Sequence, residues 1–327
     1  MSSQDTQELI KVTNLSKSFS VSKNIFGKTT KKLRAVSNVS LEIFSGECLC
    51  VVGESGCGKS TLARLMLNLI KPDSGSVQFQ GQDIFKLDSN ALIKTRTNMQ
   101  MVFQNPFSSL DPRYKIFDTI AEPLIIHRKD LSKEAIQKKV FDLLNEVELD
   151  SSVANKYPHQ CSGGQNQRVS IARALALDPK FIIADEAVSA LDVSIQWKIL
   201  ELFKRIQKEK NISFLFIAHN LGVVKHIADR VAVMYLGEIV EIASKQDIFN
   251  NPLHPYTQAL ISSAPVADPH QRNRQKKFLE GELPKPTEIP SGCAFHTRCP
   301  IAEKQCSETT PKLEEKSSKH FASCNLI

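Results

Sequence analysis

Apolar positions fall into two kinds of run along this chain. Glu47-Cys-Leu-Cys-Val-Val, Phe181-Ile-Ile-Ala and Ser213-Phe-Leu-Phe-Ile-Ala are short and nearly continuous. Each predicts a buried strand. Elsewhere apolar residues recur at helical spacing. Leu62, Leu65, Met66 and Leu69 share a face of a helix that opens at Ser60 and runs to about Ile70, stopped by the turn Pro72-Asp-Ser-Gly75. The stretch from about 90 to 160 reads as mostly helical, with Ser132 as N-cap of a helix reaching about Val147. A further amphipathic stretch runs from about Val193 to Lys210. Strands alternating with helices predict an α/β fold on a mainly parallel sheet. Val231-Ala-Val-Met-Tyr, a Leu-Gly turn and Glu238-Ile-Val-Glu-Ile-Ala predict a hairpin. After about residue 264 the pattern stops. Pro265, Pro269, Pro284, Pro286, Pro290 and Pro300 sit among polar residues, as in an extended tail or a small appended module.

Composition changes this picture little. The 327 residues are 41% hydrophobic and 24% charged, enough to bury a core. A net charge of +7 suits an anionic ligand or a membrane surface. It lacks the dense basic stripe of a nucleic-acid binder, and the basic run Lys28 to Arg34 is short. The polar start Met1-Ser-Ser-Gln-Asp has no apolar signal region, and no apolar run reaches membrane-spanning length. A cytosolic or peripheral protein is expected, in which the eight cysteines are not a disulfide framework by default.

Candidate chemistry starts at Gly53-Glu54-Ser55-Gly56-Cys57-Gly58-Lys59-Ser60-Thr61. It fits G-x-x-x-x-G-K-[ST] without mismatch, after a strand and at the opening of a helix. Glycines let backbone N–H groups turn inward as an anion nest, and the helix N-terminus adds positive partial charge. Lys59 would reach the β- and γ-phosphates of ATP, and the Ser60 hydroxyl would ligate Mg²⁺. Cys57 lies inside the loop, so a thiol alkylator is expected to block ATP binding. Phe181-Ile-Ile-Ala-Asp185-Glu186 ends a strand in two carboxylates. Alone it reads as an acidic strand cap; beside a phosphate loop, Asp185 suits Mg²⁺ and Glu186 suits the general base for attacking water.

Cys161-Ser162-Gly163-Gly164-Gln165, ahead of a helix, resembles the signature of the ABC ATPases, with Cys161 in place of the usual Leu. The resemblance implies that Ser162, Gly163, Gly164 and Gln165 contact the γ-phosphate held by an opposite subunit. In order along the chain, Phe103-Gln104 resembles the Q-loop, with Gln104 sensing metal and γ-phosphate. Ser189-Ala-Leu-Asp192 resembles the D-loop and His219 the switch histidine. Phe19 lies where the family stacks an aromatic on adenine. Taken singly, such a Gln, His or Phe is more often a surface or structural residue; six features in register from 19 to 219 are not coincidence. The family usually has Pro after the paired carboxylates, where this chain has Ala187. The implied fold is α/β: a P-loop NTPase with a RecA-like core, an antiparallel β subdomain and a helical subdomain. The expected ABC domain spans 8–262, with its helical part at about 105–177, followed by a Cys-containing extension over 263–327.

Phe103-Gln-Asn-Pro-Phe-Ser-Ser-Leu-Asp-Pro-Arg113, Ala190-Leu-Asp-Val-Ser-Ile-Gln196 and the tail from Gly281 resemble the bacterial dipeptide/oligopeptide and nickel importer ATPases, closest to the second, F-type member of the ATPase pair. In the tail, Cys293, Cys299, Cys306 and Cys324 follow C-x5-C-x6-C-x17-C. This matches neither a C-x2-C zinc ribbon nor a C-x2-C-x2-C ferredoxin run. The resemblance favours a [4Fe–4S] cluster; Zn²⁺, or unligated thiols or a disulfide, are the alternatives. His254 and His320 are candidate further ligands, but read rather as surface polar residues.

The resemblance implies an importer motor on the cytoplasmic face of the inner membrane. A second homologous ATPase, in a heterodimer or else a homodimer, would complete two composite ATP sites. Two transmembrane permeases would be driven, with a substrate-binding protein engaged indirectly and no nucleic acid. An exporter motor, and a soluble ABC ATPase acting on nucleic acid or ribosomes, are the alternatives. Di- and oligopeptides are the expected cargo, with nickel chelates, glutathione, antimicrobial peptides and oligosaccharides as alternatives, because the motor does not touch what is carried.

Overall fold

The computed structural model describes residues 7–23, 29–263 and 282–327. Lys28, Pro265, Pro269 and Gly281 lie outside the described residues. The chain divides into two compact units, one containing Ile43–Cys48 and Lys86–Ile217, the other Leu9–Glu42, Leu49–Phe85 and Ala218–Ile327.

In the first unit, Phe181–Asp185 runs parallel to Met99–Val102 on one side and to Ser213–Ala218 on the other. Both longer strands are buried throughout, as continuous apolar runs require. Helix Val193–Lys210 buries Ile199, Leu200, Leu202, Phe203 and Ile206. The Phe203 ring meets Phe214 and Phe216 edge-on, with centroids 5.5 and 5.6 Å away. Asn211, left-handed at φ 52°, ends the helix. A helical portion follows the strand Met99–Val102: Ile116–His127, Lys133–Glu146 and Gly163–Leu175. Ser132 caps the second of these, its hydroxyl accepting from the Ala135 N–H at 3.2 Å. The short strand Met99–Val102 interrupts the region read as mostly helical. Only its two end residues are buried, so it carries neither an apolar run nor a clear alternation.

In the second unit, Cys48–Val52 runs parallel to Arg230–Tyr235, with Val52 opposite Val233. The expected hairpin forms: Arg230–Tyr235 pairs antiparallel with Glu238–Ser244. Its turn, Leu236-Gly237, has φ 43° and 89°, positive at both positions as a type I′ hairpin turn demands. A separate antiparallel sheet joins Glu8–Lys23, Thr29–Phe44, Ser74–Phe79 and Gln82–Asp83. The helix after the phosphate loop is Lys59–Met66, shorter than expected: Asn68 turns left-handed at φ 51°, leaving Leu69 half exposed.

The described part of the tail is more than an extended strap. Glu314–Ser317 and His320–Ala322 form a hairpin, and its second strand pairs antiparallel with Glu238–Ser244, Ala322 opposite Glu241. Among the described residues, no helix is long and apolar enough to cross a membrane.

Candidate nucleotide site

The phosphate loop leaves a fully buried strand and enters a helix, as its spacing predicts. Gly53, Gly56 and Gly58 all have positive φ. A Cβ at Gly58 would collide with the Ala35 carbonyl, so this position needs glycine for space as well as conformation. The loop is braced from outside: the Gly237 N–H of the hairpin turn donates to the Cys57 carbonyl at 2.9 Å. Lys59 is buried and folded back on the loop, its Nζ donating to the carbonyls of Gly53 at 2.8 Å and Glu54 at 3.0 Å. Ser55 and Gly56 are exposed, while Ser60 and Thr61 sit half-buried in the first turn of the helix. Cys57 is 2% exposed, and burial pushes its thiol pKa up. That counts against the expected block by alkylation, because the thiolate is the reactive form.

Two expected catalytic residues of the first unit meet. Gln104, just past the strand Met99–Val102, donates from Nε2 to Glu186 Oε2 at 2.8 Å. Glu186 follows the buried Asp185 directly and is left-handed at φ 49°, its N–H donating to the Ile217 carbonyl at 3.0 Å. Ser189 Oγ closes the turn by donating to the Glu186 carbonyl at 2.9 Å. Ala187 is buried behind the carboxylates, which gives a small side chain there a packing role.

Ser162 caps helix Gly163–Leu175 in a capping box. Its hydroxyl accepts from the Gln165 N–H at 3.3 Å, and Gln165 Oε1 accepts from the Ser162 N–H at 2.9 Å. The box fixes a helix start with its first amides free of intrahelical partners, a ready anion site. Gly164 packs so closely on Ile195 that a Cβ would lie 2.7 Å from that side chain. Cys161 is buried and takes up the apolar place of the usual Leu. Asp192 is exposed at the N-cap of helix Val193–Lys210, its carbonyl accepting from the Ile195 and Gln196 N–H groups. In the second unit, His219 is exposed just past the strand Ser213–Ala218, and Asn220 Oδ1 caps the next helix through the Gly222 N–H at 2.8 Å. Phe19 is 39% exposed, with Lys17 Nζ 5.7 Å from its ring centre.

The tail departs from expectation. Cys293, Cys299, Cys306 and Cys324 converge on one cavity of about 20 Å³, also lined by His254 and Phe295. Yet among the described residues no three His, Cys, Asp or Glu side chains form a group that could hold a metal ion. Side-chain placement therefore does not support the cluster or zinc ion expected there. Burial, with repulsion from the other three sulfurs, pushes the Cys293 thiol up to about 11, and burial raises Cys299 too. A metal ion bound there would release those protons, so binding at the four thiols would weaken as pH falls.

His254 and His320 are not surface residues: they are 1% and 3% exposed. Nδ1 of His254 accepts from the Tyr256 N–H at 3.1 Å, and burial holds its pKa down to about 4. Nε2 of His320 donates to Glu241 Oε1 at 2.7 Å. Glu241, wholly buried, also accepts from the N–H groups of Leu253 at 2.8 Å and His254 at 2.9 Å. Sequence reasoning missed Glu241 altogether. Its signal is faint: a lone acid inside the apolar run Ile239–Ala243.

A phosphate-cradling loop between strand and helix, and a strand ending in paired carboxylates, define the class as a P-loop ATPase. Comparison with known proteins narrows it. A family profile described as "ABC transporter" matches residues 36–189, and one described as "Oligopeptide/dipeptide transporter, C-terminal region" matches 240–306. The oligopeptide transport ATP-binding protein AppF of Bacillus subtilis is 47% identical, over 100% of this chain and 99% of its own length. The dipeptide transport ATP-binding protein DppF of Escherichia coli is 46% identical, over 96% and 94%. Among solved structures, the dimeric post-hydrolysis ATP-binding cassette MJ0796, bound to ADP and Pi, superposes with a TM-score of 0.65 at 32% identity, covering 72% of this chain and 99% of its own. CbiO1 of Clostridium perfringens, part of the transporter complex cbiONQ, gives 0.64 at 26%, covering 75% and 91%. The chain belongs to the ABC transporter ATP-binding proteins of the oligopeptide/dipeptide branch.

Proposed function

We propose that the chain is the ATP-hydrolysing motor subunit of a bacterial importer for di- and oligopeptides. It would work at the cytoplasmic face of the inner membrane, paired with a second ATPase subunit and driving two permeases. The names of its full-length relatives support the peptide assignment, and the dimeric cassette MJ0796 supports the pairing.

The single observation carrying the motor reading is the contact of Gln104 with Glu186. In it, the glutamine of the Q-loop holds the carboxylate that would act as base. The loop from Gly53 to Thr61 would wrap the triphosphate, with Lys59 leaving its two carbonyls for the β- and γ-phosphates. Ser60, Asp185 and Gln104 would supply hard oxygens of the kind that suits Mg²⁺, and the ion would neutralise phosphate charge. Glu186 would take the proton of the attacking water, and His219 would hold the γ-phosphate. Phe19 would stack on adenine. Ser162, Gly163, Gly164 and Gln165 would complete the partner's site, with Asp192 crossing the interface. We assign the ABC domain to 8–262, its helical part to about 105–177 and the extension to 263–327; helices from Pro106 to Leu175 support the second of these.

The test is Glu186→Gln in the assembled transporter. ATP binding is expected to persist and a closed dimer to accumulate, with turnover down about 10²–10⁴-fold. Wild-type turnover would show that Glu186 is not the base.

An iron–sulfur cluster on Cys293, Cys299, Cys306 and Cys324 is the finer part of this reading. The resemblance and the convergence of all four thiols on one cavity support it; a formed ligand group does not.

A further inference from the structure

The tail reaches the phosphate loop through an ion pair. Arg298 donates from Nη1 to Glu54 Oε2 at 3.0 Å and from Nη2 to Glu54 Oε1 at 3.2 Å, a two-pronged contact across 244 residues of sequence. The guanidinium side chain is only 7% exposed and that of Glu54 24%. Glu54 is gripped at its backbone as well. Its N–H donates to the Tyr256 hydroxyl at 2.9 Å, and its carbonyl accepts from Lys59. The support behind Arg298 is a buried aromatic cluster. Arg298 ends the turn His296–Arg298, which starts at the buried Phe295. The Phe295 ring lies 5.3 Å from Tyr235 and 5.5 Å from Tyr256, centre to centre.

We infer that Arg298 is a positioning residue for nucleotide binding, holding and neutralising the Glu54 carboxylate within the phosphate loop. The inference rests on the ATP site proposed above. A carboxylate inside an anion nest opposes the triphosphate, since like charges brought together cost free energy on both sides. A charge-assisted, two-pronged guanidinium contact cancels that charge and fixes the carboxylate's direction, which a point-charge lysine does less well. The C-terminal segment thereby becomes part of the nucleotide site, and the four-thiol cavity, whose Cys299 adjoins Arg298, lies one residue from it.

The test measures the dissociation constant of MgATP for the full-length chain, and KM and kcat for ATP in the assembled transporter. Variants are Arg298→Gln, Arg298→Lys, the double variant Glu54→Gln with Arg298→Gln, and Lys59→Ala as reference. Arg298→Gln is expected to raise both Kd and KM on the order of tenfold with kcat little changed. Arg298→Lys should fall between, and Glu54→Gln should reverse most of the Arg298→Gln loss, because no bare carboxylate is left. A purely structural role would lower the melting temperature without that reversal. Should Arg298→Gln fail to fold, Arg298→Lys carries the test, and wild-type Kd in it overturns the inference. Lys59→Ala abolishing binding while both Arg298 variants bind as wild type overturns the inference alone. Lys59→Ala binding normally overturns the site reading and the inference with it.

Discussion

His320→Ala removes one of three donors from a carboxylate that has no access to water. Glu241 is wholly buried, and the His320 side chain is 4% exposed. The variant keeps the N–H donors of Leu253 and His254 but loses the shortest contact, at 2.7 Å. A hydrogen bond to a charged group contributes about 1.5–3 kcal/mol. Truncating the buried ring adds about 1–2 kcal/mol for the space it leaves. A loss of about 2.5–5 kcal/mol is expected, in line with the roughly 3–5 kcal/mol for breaking a buried pair by removing one partner. Urea unfolding followed by circular dichroism reads it as a lower midpoint at unchanged slope. Ser318→Ala, in the exposed turn beside it, serves as control and should stay within about 0.5 kcal/mol. His320→Asn, which keeps a donor, should recover part of the loss. If His320→Ala unfolds within about 1 kcal/mol of the unaltered chain, Glu241 does not depend on the tail and the reasoning is wrong.

Two further predictions follow from the same part of the molecule. His254 is held neutral by burial, with a pKa near 4 against 6.5 in the unfolded chain. The unfolded state therefore binds the extra proton first, and stability should fall as pH drops from about 6.5 toward 4, by about 2 kcal/mol at pH 5. Urea midpoints at pH 7 and 5 check this, and the pH dependence should flatten in His254→Asn. Iron, acid-labile sulfide and zinc can be assayed on chain purified without oxygen: about four iron and four sulfide per chain are expected for a [4Fe–4S] cluster, and trace amounts would remove the cluster from the reading.

What the sequence made legible was local. The phosphate loop, the paired carboxylates and the capping box of the signature are contiguous stretches whose chemistry is carried by spacing alone. Gln104 and Glu186 were nameable separately; their contact needs the parallel pairing of two strands 82 residues apart. The strand Met99–Val102 escaped because its burial shows no simple period. The tail hairpin escaped because prolines and charges mask it, and because its stability comes from a strand far upstream. His254 and His320 were misplaced for one reason: a histidine is polar by type, but a buried backbone N–H or carboxylate can satisfy it. Nothing in the chain near Glu54 signals a partner at Arg298.

The Glu241 site also has an order in time. Synthesis delivers Glu241 with the hairpin strand Glu238–Ser244, and His320 comes 79 residues later. At ribosomal speeds that is a delay of roughly 4–16 s. Through it the strand lacks its neighbour His320–Ala322, and a carboxylate made for the interior lacks its third donor. A product stopped short of His320 keeps both defects for good. It offers an open strand edge and an unfinished charge to proteases and chaperones, while its nucleotide motifs are already complete.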